Sequence, residues 1–128
     1  MPRNDYRIAS ENQPYFLTST IVGWLPVFTR PEAVTILFDS WTYLQKEAGL
    51  KLFGYVVLEN HVHWIASAEN LSHELCRFKS FTARKLIDLL DSTNAATMLE
   101  QLHYFKLRHK TDQEFQFWQE GSKPKVIE

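Results

Sequence analysis

The sequence predicts an α+β domain of ferredoxin-like architecture, an antiparallel sheet with helices packed on one face. Three observations lead there. Short apolar runs rich in β-branched and aromatic residues alternate with longer stretches of helical periodicity, in the order strand, helix, strand, strand, helix, (helix), strand. Two of the strands are separated only by Glu59-Asn60-His61, which calls for a tight antiparallel turn. At 128 residues, with no repeat and no Gly/Ser linker, the chain fits a single domain over 1–128.

Each element has a local reason. Tyr15 to Val22 is aromatic and β-branched and reads as a buried strand, ended by Gly23 and Pro26. Pro31 suits a first helical position and Glu32 the positive end of the helix dipole. Val34, Leu37, Phe38, Trp41 and Leu44 then form one apolar face, and Gly49 stops the helix. Leu52–Leu58 and Val62–Ala66 are the next two strands. Asn70 or Ser72 caps a second helix, whose buried stripe is Leu71, Leu75, Phe78, Thr82, Leu86 and Leu89. Asp91 to Asn94 breaks it, and Met98, Leu99, Leu102 and Phe105 mark the inner side of a third helix. Phe115 to Trp118 alternates weakly and is expected to be the fourth strand.

Composition excludes some classes. Hydrophobic residues make up 45% and charged residues 23%, ordinary for a globular chain. No apolar run approaches the roughly 18 residues that span a bilayer, so no membrane partner is expected. Met1–Ser10 carries no apolar signal segment, and the cytoplasm is the expected compartment. The single cysteine, Cys76, cannot close an internal disulfide and is expected as a small buried hydrophobe. Net charge is −1, so a nucleic-acid partner is not announced by bulk charge; Arg77, Lys79, Arg84 and Lys85 nevertheless cluster, as do Lys106, Arg108 and Lys110.

The segment most informative about chemistry is Tyr55-Val56-Val57-Leu58-Glu59-Asn60-His61-Val62-His63-Trp64-Ile65. Residues two apart on a strand share a face, so His61 and His63 project together. Two imidazoles on a rigid strand make half of a metal site; the competing reading is a pair of solvated or hydrogen-bonded histidines.

Asn60-His61-Val62-His63-Trp64-Ile65 resembles the His-hydrophobic-His signature of HUH single-tyrosine transposases. Lys79-Ser80-Phe81-Thr82-Ala83-Arg84-Lys85 is similar to the Lys-x-(Tyr/Phe)-Thr-x-Arg stretch of their REP-associated branch. Phe117-Trp118-Gln119-Glu120-Gly121 resembles the branch's Trp-Gln segment. The resemblance extends from about Tyr15 to Ile127. It implies a ferredoxin-like homodimer acting on hairpin-forming single-stranded DNA. His61 and His63 would hold Mg²⁺ or Mn²⁺, and a helix-borne tyrosine would cut and rejoin the strand through a 5′-phosphotyrosine. Lys79, Arg84 and Lys85 are the implied phosphate contacts, with a solvated helix face as the alternative. Trp64 is a candidate for stacking an unpaired base, whereas Trp118 is expected to fill the core.

The resemblance places the nucleophilic tyrosine, in a Tyr-Ile-x-x-Asn-Pro motif that also supplies a metal ligand, beyond Glu128. The chain therefore reads as truncated before that helix. Tyr104, on the third helix, is the candidate nucleophile within it, and core packing beside Leu102 and Phe105 is its competing role. Two other functions fit the same residues. One is a non-catalytic hairpin-binding module that keeps the fold. The other is a hydrolase using water at His61 and His63.

Overall fold

The computed structural model describes residues 12–93, 95–106 and 115–127. Its centre is a four-stranded sheet of β1 (Tyr15–Thr20), β2 (Lys51–Val57), β3 (His61–Ser67) and β4 (Lys125–Val126), in the order β2-β3-β1-β4 with all neighbours antiparallel. Helices α1 (Pro31–Glu47), α2 (Leu71–Ser92) and α3 (Ala96–Phe105) follow β1 and β3. Helix α1 links β1 to β2, while β3 lies between them in the sheet. This is the split βαβ arrangement that the element order predicts.

Strand alternation decides which residues meet the helices. On β1, Tyr15, Leu17 and Ser19 are buried, while Phe16, Thr18 and Thr20 are half-buried on the other side. On β3 the buried residues are Val62, Trp64, Ala66 and Ser67, and His61, His63 and Ile65 are half-buried. The register sets Thr20 opposite His61 and Thr18 opposite His63, so one sheet face carries the core and the other carries the histidines.

The core joins α1 and α2 to the first face. Trp41 stacks on Phe78 with 5.5 Å between ring centres and meets Trp64 at the same distance; Trp64 and Phe78 close the triangle at 4.7 Å. Aromatic contacts of this kind add to the area that each ring removes from water. Leu37, Leu44, Leu71, Leu86 and Leu90 fill the remainder. Phe38 sits at the rim, 39% exposed, so the first helix's apolar face is narrower than its spacing suggests. In α2, Leu75 and Leu89 are only partly buried, Leu90 takes an inner place, and Glu74 is buried beside Arg77. Asn70 is the cap, accepting a hydrogen bond from the His73 backbone N–H. Gly49, at φ +72°, turns the chain out of α1, and the Leu50 N–H then donates to the Leu44 carbonyl.

Two expectations are corrected. Phe115–Trp118 does not form the fourth strand: Phe117 and Trp118 are adjacent and both turn into the core, and the segment makes no continuous ladder with β1. The segment instead runs irregularly along β1. Val22 donates to the Phe117 carbonyl, Gln119 to that of Thr20, and Thr18 to that of Ser122, and Trp118 makes one isolated bridge to Ile21. Regular pairing resumes only at β4, with Tyr15 opposite Val126. Cys76 is exposed rather than buried, since it falls on the outer side of α2. No described helix is long and apolar enough to cross a membrane.

Candidate metal and DNA site

The β2–β3 turn positions the histidines. Leu58 N–H donates to the His61 carbonyl and closes the hairpin, leaving Asn60 immediately before the first imidazole. The Asn60 amide nitrogen donates to the Trp24 carbonyl at 3.4 Å, which turns its oxygen toward His61. That oxygen lies 2.7 Å from His61 Nδ1. An amide oxygen only accepts, so His61 Nδ1 carries a hydrogen. His63 Nδ1 is 3.1 Å from the Thr18 hydroxyl across the β1–β3 ladder, and its ring stacks on Phe16 with centres 5.2 Å apart. The two imidazoles meet edge to face, 4.8 Å between centres. Partial burial, and after it the charge of His61, hold the His63 pKa below the usual imidazole value of 6.5, favouring the neutral, ligating form.

Both Nδ1 atoms thus have neighbours, and among the described residues neither Nε2 has a hydrogen-bond partner. That is how a ligating histidine is oriented, its second nitrogen fixed by an outer partner. Among the described residues no group of three or more His, Cys, Asp or Glu side chains comes together. The two imidazoles are the residues of this site that could serve as metal ligands. Asn60 and Thr18 were not singled out by sequence reasoning. The position of Asn60 next to His61 was a usable signal, but Thr18 lies 45 residues from its partner and carried none.

The other candidates are not brought to the histidines. Trp64 is corrected: it is 1% exposed among Trp41 and Phe78, and its indole N–H donates to the Ser19 hydroxyl, so no base can stack on it. Trp118 does fill the core, with its Nε1 donating to Thr82 Oγ1 at 2.9 Å. Lys79 binds the carbonyls of Gln119 and Gly121 at 2.9 and 3.1 Å, so its ammonium ties the C-terminal segment to α2 rather than standing open to phosphate. Arg84 and Lys85 are exposed on α2, with Lys85 over the Phe81 ring, and lie on the helix side of the sheet, away from His61 and His63. Lys106 is at the end of α3, and Arg108 and Lys110 lie outside the described residues.

Tyr104 is 79% exposed on α3, its ring edge-on to Phe105, so the core-packing role is overturned for it. Of the remaining described tyrosines, Tyr15 is buried toward the helices and Tyr43 is on α1. Tyr55 packs on Phe38 and Trp41 and is half exposed.

No protein-family model matches the sequence, and no curated protein matches it. Solved structures do. The chain is similar to a REP-associated tyrosine transposase bound to a REP hairpin, with TM-score 0.61 and 14% identity over 95% of this chain and 60% of that one. It is also similar to a Deinococcus radiodurans R1 protein designated a transposase, with TM-score 0.53 and 19% identity over 67% of this chain and 68% of the other. The chain thus spans less than two thirds of the length of the first. At these identities the likeness is one of fold. The ferredoxin-like sheet and helices described above are shared with solved transposase structures, one of them holding a DNA hairpin.

Proposed function

We propose that this chain is a transposase-like domain that binds hairpin-forming single-stranded DNA and supports metal-assisted strand cleavage and rejoining through a phosphotyrosine. The observation that carries the reading is the histidine pair. His61 and His63 share one face of a rigid strand, each with a neighbour at Nδ1 and, among the described residues, no hydrogen-bond partner at Nε2. Two nitrogen donors suit Mn²⁺ better than Mg²⁺, which keeps to oxygen ligands and water. A divalent ion held there would supply Lewis-acid polarisation of a phosphate oxygen and offset its negative charge. The protein's own part is to present two imidazoles in fixed orientation, with Phe16 and Thr18 bracing His63. The transfer itself needs a tyrosine Oη to bond to phosphorus as the bond to the 3′ oxygen breaks. The phenol loses its proton and the leaving oxygen gains one, so the phosphoester energy is kept for rejoining.

One observation favours a second reading, a hairpin-binding module without chemistry. Tyr15, Tyr43 and Tyr55 lie on the helix side, which leaves only Tyr104 among the described tyrosines to reach around. The test combines calorimetry with Mn²⁺ and a labelled DNA hairpin. Mn²⁺ binding that is lost in His61→Ala and His63→Ala, with a covalent protein–DNA adduct, supports the first reading. Hairpin binding without adduct or cleavage supports the second. Cleavage without adduct, lost in His61→Ala, points to hydrolysis by water. Unchanged Mn²⁺ affinity in both variants removes the metal site.

A further inference from the structure

On the helix side of the sheet, the outer surfaces of α1 and α2 leave a cleft of about 390 Å³ whose lining includes Ser40, Tyr43, Arg77, Ser80, Phe81 and Arg84. Arg77 and Arg84 are seven residues apart, so they stand on one face of α2 two turns from each other, about 10 Å along the axis. Among the described residues no carboxylate lines this cleft. Arg77 gives one guanidinium nitrogen to Glu74 at 3.1 Å and the other to the Tyr43 hydroxyl at 3.5 Å, and its plane rests over the Tyr43 ring at 5.6 Å. Arg84 makes no hydrogen bond or ion pair among the described residues. It also lines a second groove, between α2 and the segment around Phe115–Glu120. Tyr43 is 54% exposed although its neighbour Leu44 is buried.

A free guanidinium, a steadied and exposed aromatic ring, and hydroxyls from Ser40 and Ser80 together match a planar base carrying a phosphate. Arginine presents a fork to phosphate oxygens, and a ring face accepts any base. We propose that this cleft seats an unpaired nucleotide of a DNA strand, its phosphate on Arg84 and its base against Tyr43. The claim rests on the DNA-binding reading above; it gives the phosphate contact expected of Arg84 a defined cleft and adds Tyr43 as the partner of the base. The sheet separates it from His61 and His63, and it needs no metal.

The experiment is fluorescence anisotropy on the full chain in EDTA, with an oligothymidylate of about eight nucleotides, a blunt DNA hairpin, and dAMP as competitor. Variants are Tyr43→Ala and Arg84→Gln, both at exposed positions, with Arg84→Lys as the charge-keeping control and thermal melts to confirm folding. Oligothymidylate binding is expected to weaken by about tenfold in each of the first two, and by less in Arg84→Lys, because the single-strand contact is divided between stacking and phosphate. Blunt-hairpin affinity of Tyr43→Ala is expected to stay within about twofold. Wild-type protein that ignores the oligonucleotide, or variants that bind it as tightly as wild type, overturns the cleft. If the hairpin still binds in that case, the hairpin-binding reading stands alone. If the hairpin does not bind while oligonucleotide binding depends on Tyr43 and Arg84, the cleft stands and the hairpin reading falls. Competition by dAMP at matching affinity makes this a free-nucleotide pocket and overturns the strand as its occupant.

Discussion

Replacing Thr82 by valine tests how the C-terminal segment is fastened to the domain. Thr82 is fully buried in α2, donates to the Phe78 carbonyl at 2.7 Å, and accepts from Trp118 Nε1 at 2.9 Å. Valine keeps the shape and the β-branching, so packing and helix propensity barely change. What changes is that a buried indole N–H loses its acceptor, at a cost of about 1–3 kcal/mol. Taking about 2 kcal/mol, and a urea dependence of about 2 kcal/mol per molar for a domain of this size, the unfolding midpoint should fall by about 1 M with an unchanged slope. Trp118→Phe removes the donor itself. In that background Thr82→Val should cost markedly less, giving a coupling of about 1 kcal/mol between the two positions. Equilibrium urea unfolding of the four proteins measures both quantities. A Thr82→Val midpoint within about 0.2 M of wild type, equivalent to less than 0.5 kcal/mol, would refute the claim that this bond anchors the segment.

Three more outcomes follow from the geometry. Asn60→Ala frees His61 Nδ1 from its acceptor, so Mn²⁺ affinity should drop by about 10–100-fold with little loss of stability; calorimetry showing no drop would separate the tautomer from metal binding. Because the folded pKa of His63 lies below its unfolded value near 6.5, the unfolded chain binds the extra proton. Stability from this group is fully present above pH 6.5 and is lost as pH falls through the folded value, so thermal melts should show a shallower acid decline in His63→Gln. Gly23→Ala puts a Cβ 2.5 Å from the Phe105 ring at a backbone φ of +65°. The half-exposed ring can move, so the main cost is conformational, about 1–2 kcal/mol, readable as a lowered melting temperature with weakened protection of α3 in hydrogen exchange.

The parts of this molecule that were legible in the sequence are those set by periodicity. The change between a period of two and a period of 3.6 located β1, α1, the β2–β3 hairpin and α2, and alternation alone put His61 and His63 on one face. The same alternation puts Val62 and Trp64 on the other, so the burial of Trp64 could have been read directly; the base-stacking expectation overlooked it. Phe117 and Trp118 misled because their β propensity is real, but their burial comes from packing on Phe28 and Phe78, which no local pattern records. Lys79 looked like a phosphate contact because its acceptors are main-chain carbonyls some forty positions away. The Tyr43–Arg77 pairing joins two helices and was equally invisible.

The two imidazoles owe their orientation to very different stretches of chain, and this bears on the order in which the site assembles. His61 is set by its immediate neighbour Asn60 within a hairpin, whereas His63 waits for Thr18, 45 positions away, and β1 in turn completes its outer edge with Ser122. Local contacts form early and distant ones late, since each long loop must be closed before its contacts contribute. A chain in which β1 has peeled from β3 would therefore keep one ring poised and release the other, so metal affinity would report on the last folding event rather than the first.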